Sequence, residues 1–209
     1  MASILDYAGE VIGYQPSDTA TQLHLKAIRA FTGVPKNSCS AGVLSEVDWL
    51  LPEYRTRLKM IRQYHRILNM DDQRLTKRVM LWDRCQHMAT MNLSWSKEIN
   101  LIFDQCGKGE VYSHGLTFHL KTILDTISQN FKKDQYDYLK TECANMSKLR
   151  TFLLFKQFGN TASHLTKPLT FLQRKTISKM RLGSLELRIE SGRYHRPKLK
   201  GTLSRKHIF

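Results

Sequence analysis

The chain has 209 residues and carries 33 Lys and Arg against 18 Asp and Glu, a formal net charge of +15 at neutral pH. This length is enough for one domain or two small ones with a sizeable core, and a hydrophobic content of 41% excludes general disorder. The segment most like a membrane span, residues 165–172, contains Lys167 and Pro168 and is far short of the roughly 20 apolar residues that a span needs, which excludes membrane crossing.

The positive charge is concentrated in the last third of the chain. Residues 1–143 carry 18 basic and 16 acidic side chains, a net charge of +2, whereas residues 144–209 carry 15 basic side chains and only two acidic ones, a net charge of +13. Such a density favours a polyanionic partner, above all nucleic acid, because each phosphate contacted by Lys or Arg releases condensed counterions. The alternative is a solvated basic tail that has no partner.

A mainly α fold is predicted, because apolar residues recur at spacings of three and four through most of the chain. Gly and Pro are also sparse, at 11 and 5 residues. We expect a first helix over residues 4–12, and a second that Ser17 or Asp18 caps. This second helix would be followed by a loop at 33–38 (GVPKNS) and a short turn at 41–46. Its expected apolar face consists of Leu23, Ala27, Ile28 and Phe31.

The next predicted helix, from Pro52 to about Leu68, has two distinct faces. Pro52 suits the first turn of a helix, where the missing N–H costs no hydrogen bond. One face is largely apolar and consists of Tyr54, Leu58, Ile61, His65 and Leu68. Another is basic and consists of Arg55, Lys59, Arg62 and Arg66. Cations in register on one helix can follow a phosphate backbone, whereas the alternative interpretation is an ordinary solvated helix face.

Further helices are predicted towards the C-terminus. Asp71 or Asp72 is expected to cap a helix through Leu75, Val79 and Trp82, and Ser94 a second one that ends at the CGKG sequence of 106–109. Two more are expected over about 116–131 and 134–158, and another over 169–182.

The cluster of Gly, Asn, Thr, Ser and Pro at 159–168 predicts a linker. The predicted architecture is therefore an irregular helical bundle over 1–158, this linker, and a basic segment over 169–209 whose tail is partly frayed. Within that segment, residues 184–194 fit either a strand or a short helix, and we favour the helix.

Sequence motifs of common catalytic sites are absent. The chain contains no G-x-x-x-x-G-K-[ST], G-x-S-x-G or H-E-x-x-H sequence. The adjacent Asp71 and Asp72 have the composition of a polymerase metal site, but no hairpin pattern surrounds them, so helix capping is the preferred interpretation. The four cysteines are widely spaced, with no C-x-x-C pair. We therefore predict no enzymatic activity, no metal and no cofactor.

Three segments together resemble a known protein region. They are 5–13 (LDYAGEVIG), 24–38 (HLKAIRAFTGVPKNS) and 43–79, which begins VLSEVDWLLP. In this order they resemble the region just downstream of the reverse transcriptase domain in proteins of LINE-type non-LTR retrotransposons. The resemblance is carried by Tyr7, Glu10, Gly13, His24, Arg29, Gly33, Val34, Lys36, Glu46, Trp49, Asn69, Met70, Arg74, Leu75 and Lys77. Ile12 stands where the family usually has tryptophan.

A second resemblance to the same family lies at 179–199 (KMRLGSLELRIESGRYHRPKL). In the family such a segment precedes a Cys/His-rich stretch, whereas this chain continues as KGTLSRKHIF. The resemblance thus implies a truncated or degenerate remnant, with the catalytic residues of the polymerase and the endonuclease outside this chain.

We therefore expect a non-catalytic fragment of a retrotransposon-derived protein that binds RNA or DNA through its phosphates. The alternative is a helical protein–protein interaction module with a solubilising basic tail. No small-molecule substrate or membrane partner is predicted, and the oligomeric state stays open. The N-terminus has no Lys or Arg before Lys26, unlike a signal peptide, which predicts an intracellular protein, nuclear or cytoplasmic. The expected nucleic-acid contacts are Arg55, Lys59, Arg62, Arg66, Arg174, Lys175, Lys179, Arg181, Arg188, Arg193 and Arg196.

Overall fold

The structure, a computed structural model, describes residues 18–89, 94–114 and 118–185. The described residues contain α-helices and one short 3₁₀ helix but no strand, which confirms the predicted mainly α fold. The elements are α1 (Asp18–Thr32), α2 (Ser40–Val47), α3 (Pro52–Leu68), α4 (Leu75–Ala89), α5 (Trp95–Gln105), α6 (Gly109–Ser113), α7 (Leu120–Ala144), the 3₁₀ helix (Ser147–Leu149), α8 (Arg150–Phe155), α9 (Ser163–Thr166) and α10 (Phe171–Arg181). The predicted helix at 4–12 and the segment after 185 lie outside the described residues. None of the described helices has both the length and the apolar character needed to cross a membrane.

Several predicted helix ends are confirmed because their signals are local. Pro52 occupies the first turn of α3. The Ser94 hydroxyl accepts a hydrogen bond from the backbone N–H of Lys97 at 3.1 Å and so caps α5. Gly107, in the predicted CGKG stop, has a positive φ of 65° just after α5. The helix α10 begins at Phe171, two residues after the predicted start at 169, and an unpredicted reciprocal capping box of Thr170 and Gln173 sets this position.

The predicted turn at 41–46 is wrong, because these residues belong to the helix α2. All residues from Ala41 to Val47 are buried, so this short helix has no polar face and its sequence shows no helical periodicity. The helix ends at Asp48, whose backbone is left-handed with φ of 53°.

The two helices predicted over 116–131 and 134–158 are replaced by other elements. One helix, α7, continues from Leu120 to Ala144, since no Gly or Pro interrupts residues 131–134. It is followed by the 3₁₀ helix and by α8.

Asp71 and Asp72 do not cap a helix as predicted, because α4 begins only at Leu75. The Asp71 carboxylate instead accepts a hydrogen bond from the backbone N–H of Gln73 at 2.7 Å, and Asp72 pairs with Lys77 at 2.7 Å. Asp71 therefore closes a turn in front of the helix.

The predicted linker 159–168 is part of the packed structure. It contains α9, and Ala162, His164 and Leu165 are buried. The backbone N–H of Ala162 donates to the carbonyl of Glu46 at 2.8 Å, and the Thr161 hydroxyl donates to the carbonyl of Val47 at 3.0 Å. These bonds attach the segment to the end of α2.

The described core consists of two hydrophobic clusters that α7 connects. The first joins α2 to the C-terminal half of α7, to the 3₁₀ helix and α8, and to Leu165 and Leu182. The second joins α3 and α5 to the N-terminal half of α7 and contains Tyr64, Phe103 and Phe131. Between the two clusters, the buried Gln135 amide accepts from the N–H of Leu51 at 2.9 Å and donates to the carbonyl of Trp49 at 3.2 Å. The amide thereby ties the α2–α3 connection to α7.

Candidate nucleic-acid interface

The predicted basic stripe of α3 lies on the side of the helix away from the core. At 3.6 residues per turn, its four cations fall within about 60° of one another around the helix axis. The fully buried Met60, Ile61 and Tyr64 lie on the opposite side of this helix. The stripe is graded in exposure: Arg55 and Lys59 are half-buried, whereas Arg62 and Arg66 are exposed.

The predicted cations of α10 are all half-buried, and three of them have defined neighbours. The Arg174 guanidinium lies 5.1 Å from the ring centre of Phe31, in cation–π geometry. The side chain of Lys175 passes over Gly33, and Nε of Arg181 donates to the Glu46 carboxylate at 2.9 Å. The helix α10 therefore uses part of its charge to pack against α1 and α2. The other predicted contacts, Arg188, Arg193 and Arg196, lie outside the described residues.

A basic groove runs along α1 to the start of α10, and we call it the α1 groove. Its volume is about 770 Å³, and it is lined by Gln22, Leu25, Lys26, Arg29, Ala30, Gly33, Val34, Lys36, Ser40 and Phe171. Three of these residues are cations and none is acidic. Lys26 and Lys36 are exposed. These three cations are not among the contacts predicted from the sequence, although Lys26 and Arg29 lie three apart on one helix face, a spacing that indicates a shared basic surface.

The geometry of the α1 groove is maintained by Arg29 and Gly33. One guanidinium nitrogen of Arg29, Nη2, donates to the carbonyl of Ser38 and to the hydroxyl of Ser40, each at 3.0 Å. Gly33 has a positive φ of 69°, and a Cβ at this position would lie 2.8 Å from Cβ and Cγ of Lys175. Glycine is thus required here both for the backbone conformation and for the close approach of α10.

A buried ionic cluster attaches α10 to α2. Glu46 is fully buried, and burial raises the pKa of its carboxyl above the ordinary value despite the neighbouring Arg181. Burial, together with the cations Arg181 and Lys156, lowers the pKa of His164 to about 4, so its ring is neutral at neutral pH. The ring nitrogen Nε2 of this neutral histidine lies 3.6 Å from Oε2 of Glu46. Burial also lowers the pKa of Lys156, whose ammonium donates to the carbonyl of Asn160 at 2.6 Å.

The same cluster contains a serine, a histidine and a glutamate, but their arrangement differs from that of a hydrolase triad. Oγ of Ser178 lies 2.9 Å from Nε2 of His164, the same ring nitrogen that faces Glu46. In a triad the serine and the acid contact opposite nitrogens of the ring. Ser178 is also fully buried, so these three side chains connect α2, α9 and α10 instead of presenting a nucleophile to a substrate.

The helix α4 exposes an apolar stripe that we call the α4 stripe. It consists of Leu75, Val79 and Trp82, which are 73%, 53% and 64% exposed. These residues recur at spacings of four and three and therefore share one helix face. The sequence predicted the helix, but only the structure places this face in solvent.

Within the described parts of the chain, no group of three or more His, Cys, Asp or Glu side chains is arranged to hold a metal ion. Comparisons of the chain with protein-family models, with curated proteins and with solved structures found no match.

Proposed function

We propose that the chain is a non-catalytic fragment of a retrotransposon-derived reverse transcriptase protein, and that it binds RNA or DNA through phosphates. In the intact element such a region would help to hold the template RNA or the target DNA. The observation that carries the binding proposal is the α1 groove, in which Lys26, Arg29 and Lys36 come together without a carboxylate. The resemblance to the LINE-type region supports the proposed origin.

The surroundings of the groove add to its positive potential. Residues 144–185 contain eight Lys and Arg and no Asp or Glu, and six of these cations remain when Arg181 and Lys156, which lie beside the buried Glu46, are set aside. The helix α10, which belongs to this segment, packs against α1. The helix α3, with its basic stripe, also packs against α1. A surface of this kind attracts phosphates over distances comparable with the Debye length and does not select a base sequence.

Binding of this kind is tested by its dependence on salt. Fluorescence anisotropy with labelled oligonucleotides, at several NaCl concentrations, should give a log Kd that rises linearly with log salt concentration. The variant Arg62→Gln/Arg66→Gln, which neutralises the exposed end of the α3 stripe, should lower the slope by about 0.7 to 0.9 per phosphate contact removed. Lys133→Gln/Lys140→Gln on α7 is the charge-matched control, because both lysines are exposed and lie on another helix. No binding by the wild type at low salt would refute the proposal.

A second candidate function, protein–protein interaction, is favoured by the α4 stripe. An exposed apolar helix face can insert into a hydrophobic groove of a partner, and such binding depends only weakly on salt. Trp82→Ala distinguishes the two functions. If the α1 groove binds phosphates, this variant should keep the wild-type affinity for nucleic acid. If α4 contacts a protein, the variant should lose its affinity for that protein.

A further inference from the structure

We infer that the α1 groove binds an unpaired nucleic-acid strand, with phosphates on Lys26, Arg29 and Lys36 and a base against Phe171. This inference rests on the proposed function and adds the location of the site and the strandedness of the ligand.

The charges of the groove suit a polyanionic backbone. Lys26 on α1 and Lys36 in the following loop are exposed cations, and Arg29 lies on the same helix face as Lys26. The Arg29 guanidinium is already oriented by its bonds to Ser38 and Ser40, so less side-chain entropy is lost when it contacts a phosphate.

The lining between these cations is largely apolar. This apolar surface favours an unpaired strand over a duplex as the ligand. Leu25, Ala30, Val34 and Phe171 line the groove, and Phe171 is 52% exposed. A double helix keeps its bases stacked inside and presents phosphates and groove edges, so it has no base face to place against this surface. An unpaired base has such a face, and cations combined with an aromatic ring are the common features of single-strand sites.

The position of Phe171 is fixed by the start of α10. Thr170 accepts a hydrogen bond from the backbone N–H of Gln173 at 3.3 Å, and the Gln173 side chain accepts one from the N–H of Thr170 at 2.9 Å. This capping box sets where α10 begins, and Phe171 is its first residue. The close packing of Lys175 on Gly33 keeps this end of α10 beside α1.

The first experiment tests the location of the site. The full chain and its Lys26→Gln/Lys36→Gln variant are titrated with labelled oligothymidylate, oligouridylate and a DNA duplex of the same length, at several salt concentrations. The variant should bind both single strands more weakly, and its salt slope should fall by about 1.4, or 0.7 for each phosphate that is no longer bound. The control Lys133→Gln/Lys140→Gln should keep the wild-type slope, and circular dichroism verifies that all chains are folded.

The second experiment tests the base contact. Phe171→Ala should weaken binding of the single strands about fivefold or more, the lower end of what one stacked base contributes, while the salt slope and the duplex affinity stay unchanged. Trp82→Ala, which removes an aromatic ring exposed on another helix, should have no effect. Polyglutamate as a competitor should displace the strands only at much higher concentration, because it offers charge without a base face.

The outcomes separate this inference from the proposed function. If the wild type shows steep salt dependence but the Lys26→Gln/Lys36→Gln variant binds equally well, the groove is not the site, while nucleic-acid binding stands. The assignment to an unpaired strand is overturned if Phe171→Ala weakens single-strand and duplex binding equally. It is also overturned if this variant changes neither affinity. Tighter binding of polyglutamate would identify an acidic protein segment as the occupant. Absence of any binding would refute the proposed function itself.

Discussion

Arg181 and Lys156 are basic residues whose charge is used inside the protein. Arg181 donates to the buried Glu46 and lies 5.7 Å and 5.1 Å from the ring centres of Phe152 and Phe155. From the sequence, Arg181 is predicted to contact nucleic acid, because its position in a basic helix cannot reveal a buried carboxylate 135 residues away. The role of a basic residue such as Arg181 therefore depends on the side chain with which it pairs, and its positive charge alone does not reveal that role.

Replacing Arg181 by methionine should destabilise the protein strongly at neutral pH. Glu46 would lose its bonded cation while fully buried, and an uncompensated buried charge costs about 3 kcal/mol of unfolding free energy or more. The loss should be smaller at pH 5 than at neutral pH, because burial raises the pKa of Glu46 and a protonated carboxyl leaves no charge uncompensated. Urea denaturation at both pH values measures the effect, with Lys179→Met on the same helix as control. Equal losses for the two variants would contradict this assignment of Arg181.

The pH dependence of His164 has a definite sign. Its pKa is about 4 in the folded protein, whereas an unfolded histidine titrates near pH 6.5, so the unfolded chain takes up the proton first as the pH falls. The stabilisation is therefore complete above pH 6.5 and is lost between pH 6.5 and 4. Lowering the pH from 7.5 to 5 should cost the wild type about 2 kcal/mol more than His164→Gln.

The comparison with His164→Gln isolates the histidine, because the opposite titration of Glu46, whose folded pKa is raised, is present in both chains. The measurement is the unfolding free energy from urea denaturation at each pH. Parallel pH profiles for the two proteins would show that the ring is not held neutral by burial.

At the scale of the element, helix positions were easier to predict than helix faces. The expected apolar face of α1 included Leu23 and Phe31, but the residues it buries are His24, Ile28 and Thr32. In α4 the apolar residues at 75, 79 and 82 are exposed, and Met80 is buried instead. A helix with apolar residues on more than one side can be buried by either side, and the neighbouring helices decide which.

Gly33 follows α1 and lies against Lys175 of α10. Gly33→Ala should therefore destabilise the protein by more than the cost of placing an alanine at a positive φ. Gly107→Ala is a matched control, because Gly107 has a similar φ of 65° but no heavy atom within 4 Å of an added Cβ. An alanine at positive φ costs about 1 kcal/mol, and at position 33 it would also displace Lys175.

Thermal or chemical unfolding of the two glycine variants compares the two costs. Gly33→Ala should also weaken oligonucleotide binding, since the α1 groove depends on the approach of α10, whereas Gly107→Ala should not. Identical stability losses in both variants would show that the contact between Lys175 and Gly33 contributes nothing.

At the scale of the whole molecule, the basic last third of the chain is partly built into the core. Leu165 and Leu182 belong to the same hydrophobic cluster as Val43 on α2, and Ser178 is fully buried. A deletion of everything after Leu165 would therefore disrupt packing as well as remove charge. A cut after residue 185 leaves every described contact in place.

Deleting residues 186–209 should weaken nucleic-acid binding without unfolding the described core. This segment carries seven Lys and Arg against Glu186 and Glu190, and it includes the proposed contacts Arg188, Arg193 and Arg196. The salt slope should fall by about 0.7 to 0.9 for each phosphate contact removed, and the melting temperature should change little. The α1 groove and the exposed end of the α3 stripe should supply the remaining affinity. Unchanged affinity at two salt concentrations would show that this segment only solubilises the protein.

The sequence by itself determined the helical class, the boundaries of α1, α3 and α5 and the asymmetry of charge, because these depend on local signals. Pro52, Ser94 and the glycines at 33 and 107 act through their own backbone or their nearest neighbours along the chain. Only the tertiary structure decided that α2 is a buried helix and that α4 exposes its apolar side. It also decided that Lys26, Arg29 and Lys36 line one groove. The pairing of Arg181 with Glu46 likewise follows only from the tertiary structure. These features depend on contacts between residues far apart in sequence, and neither helical spacing nor composition specifies which helix faces which.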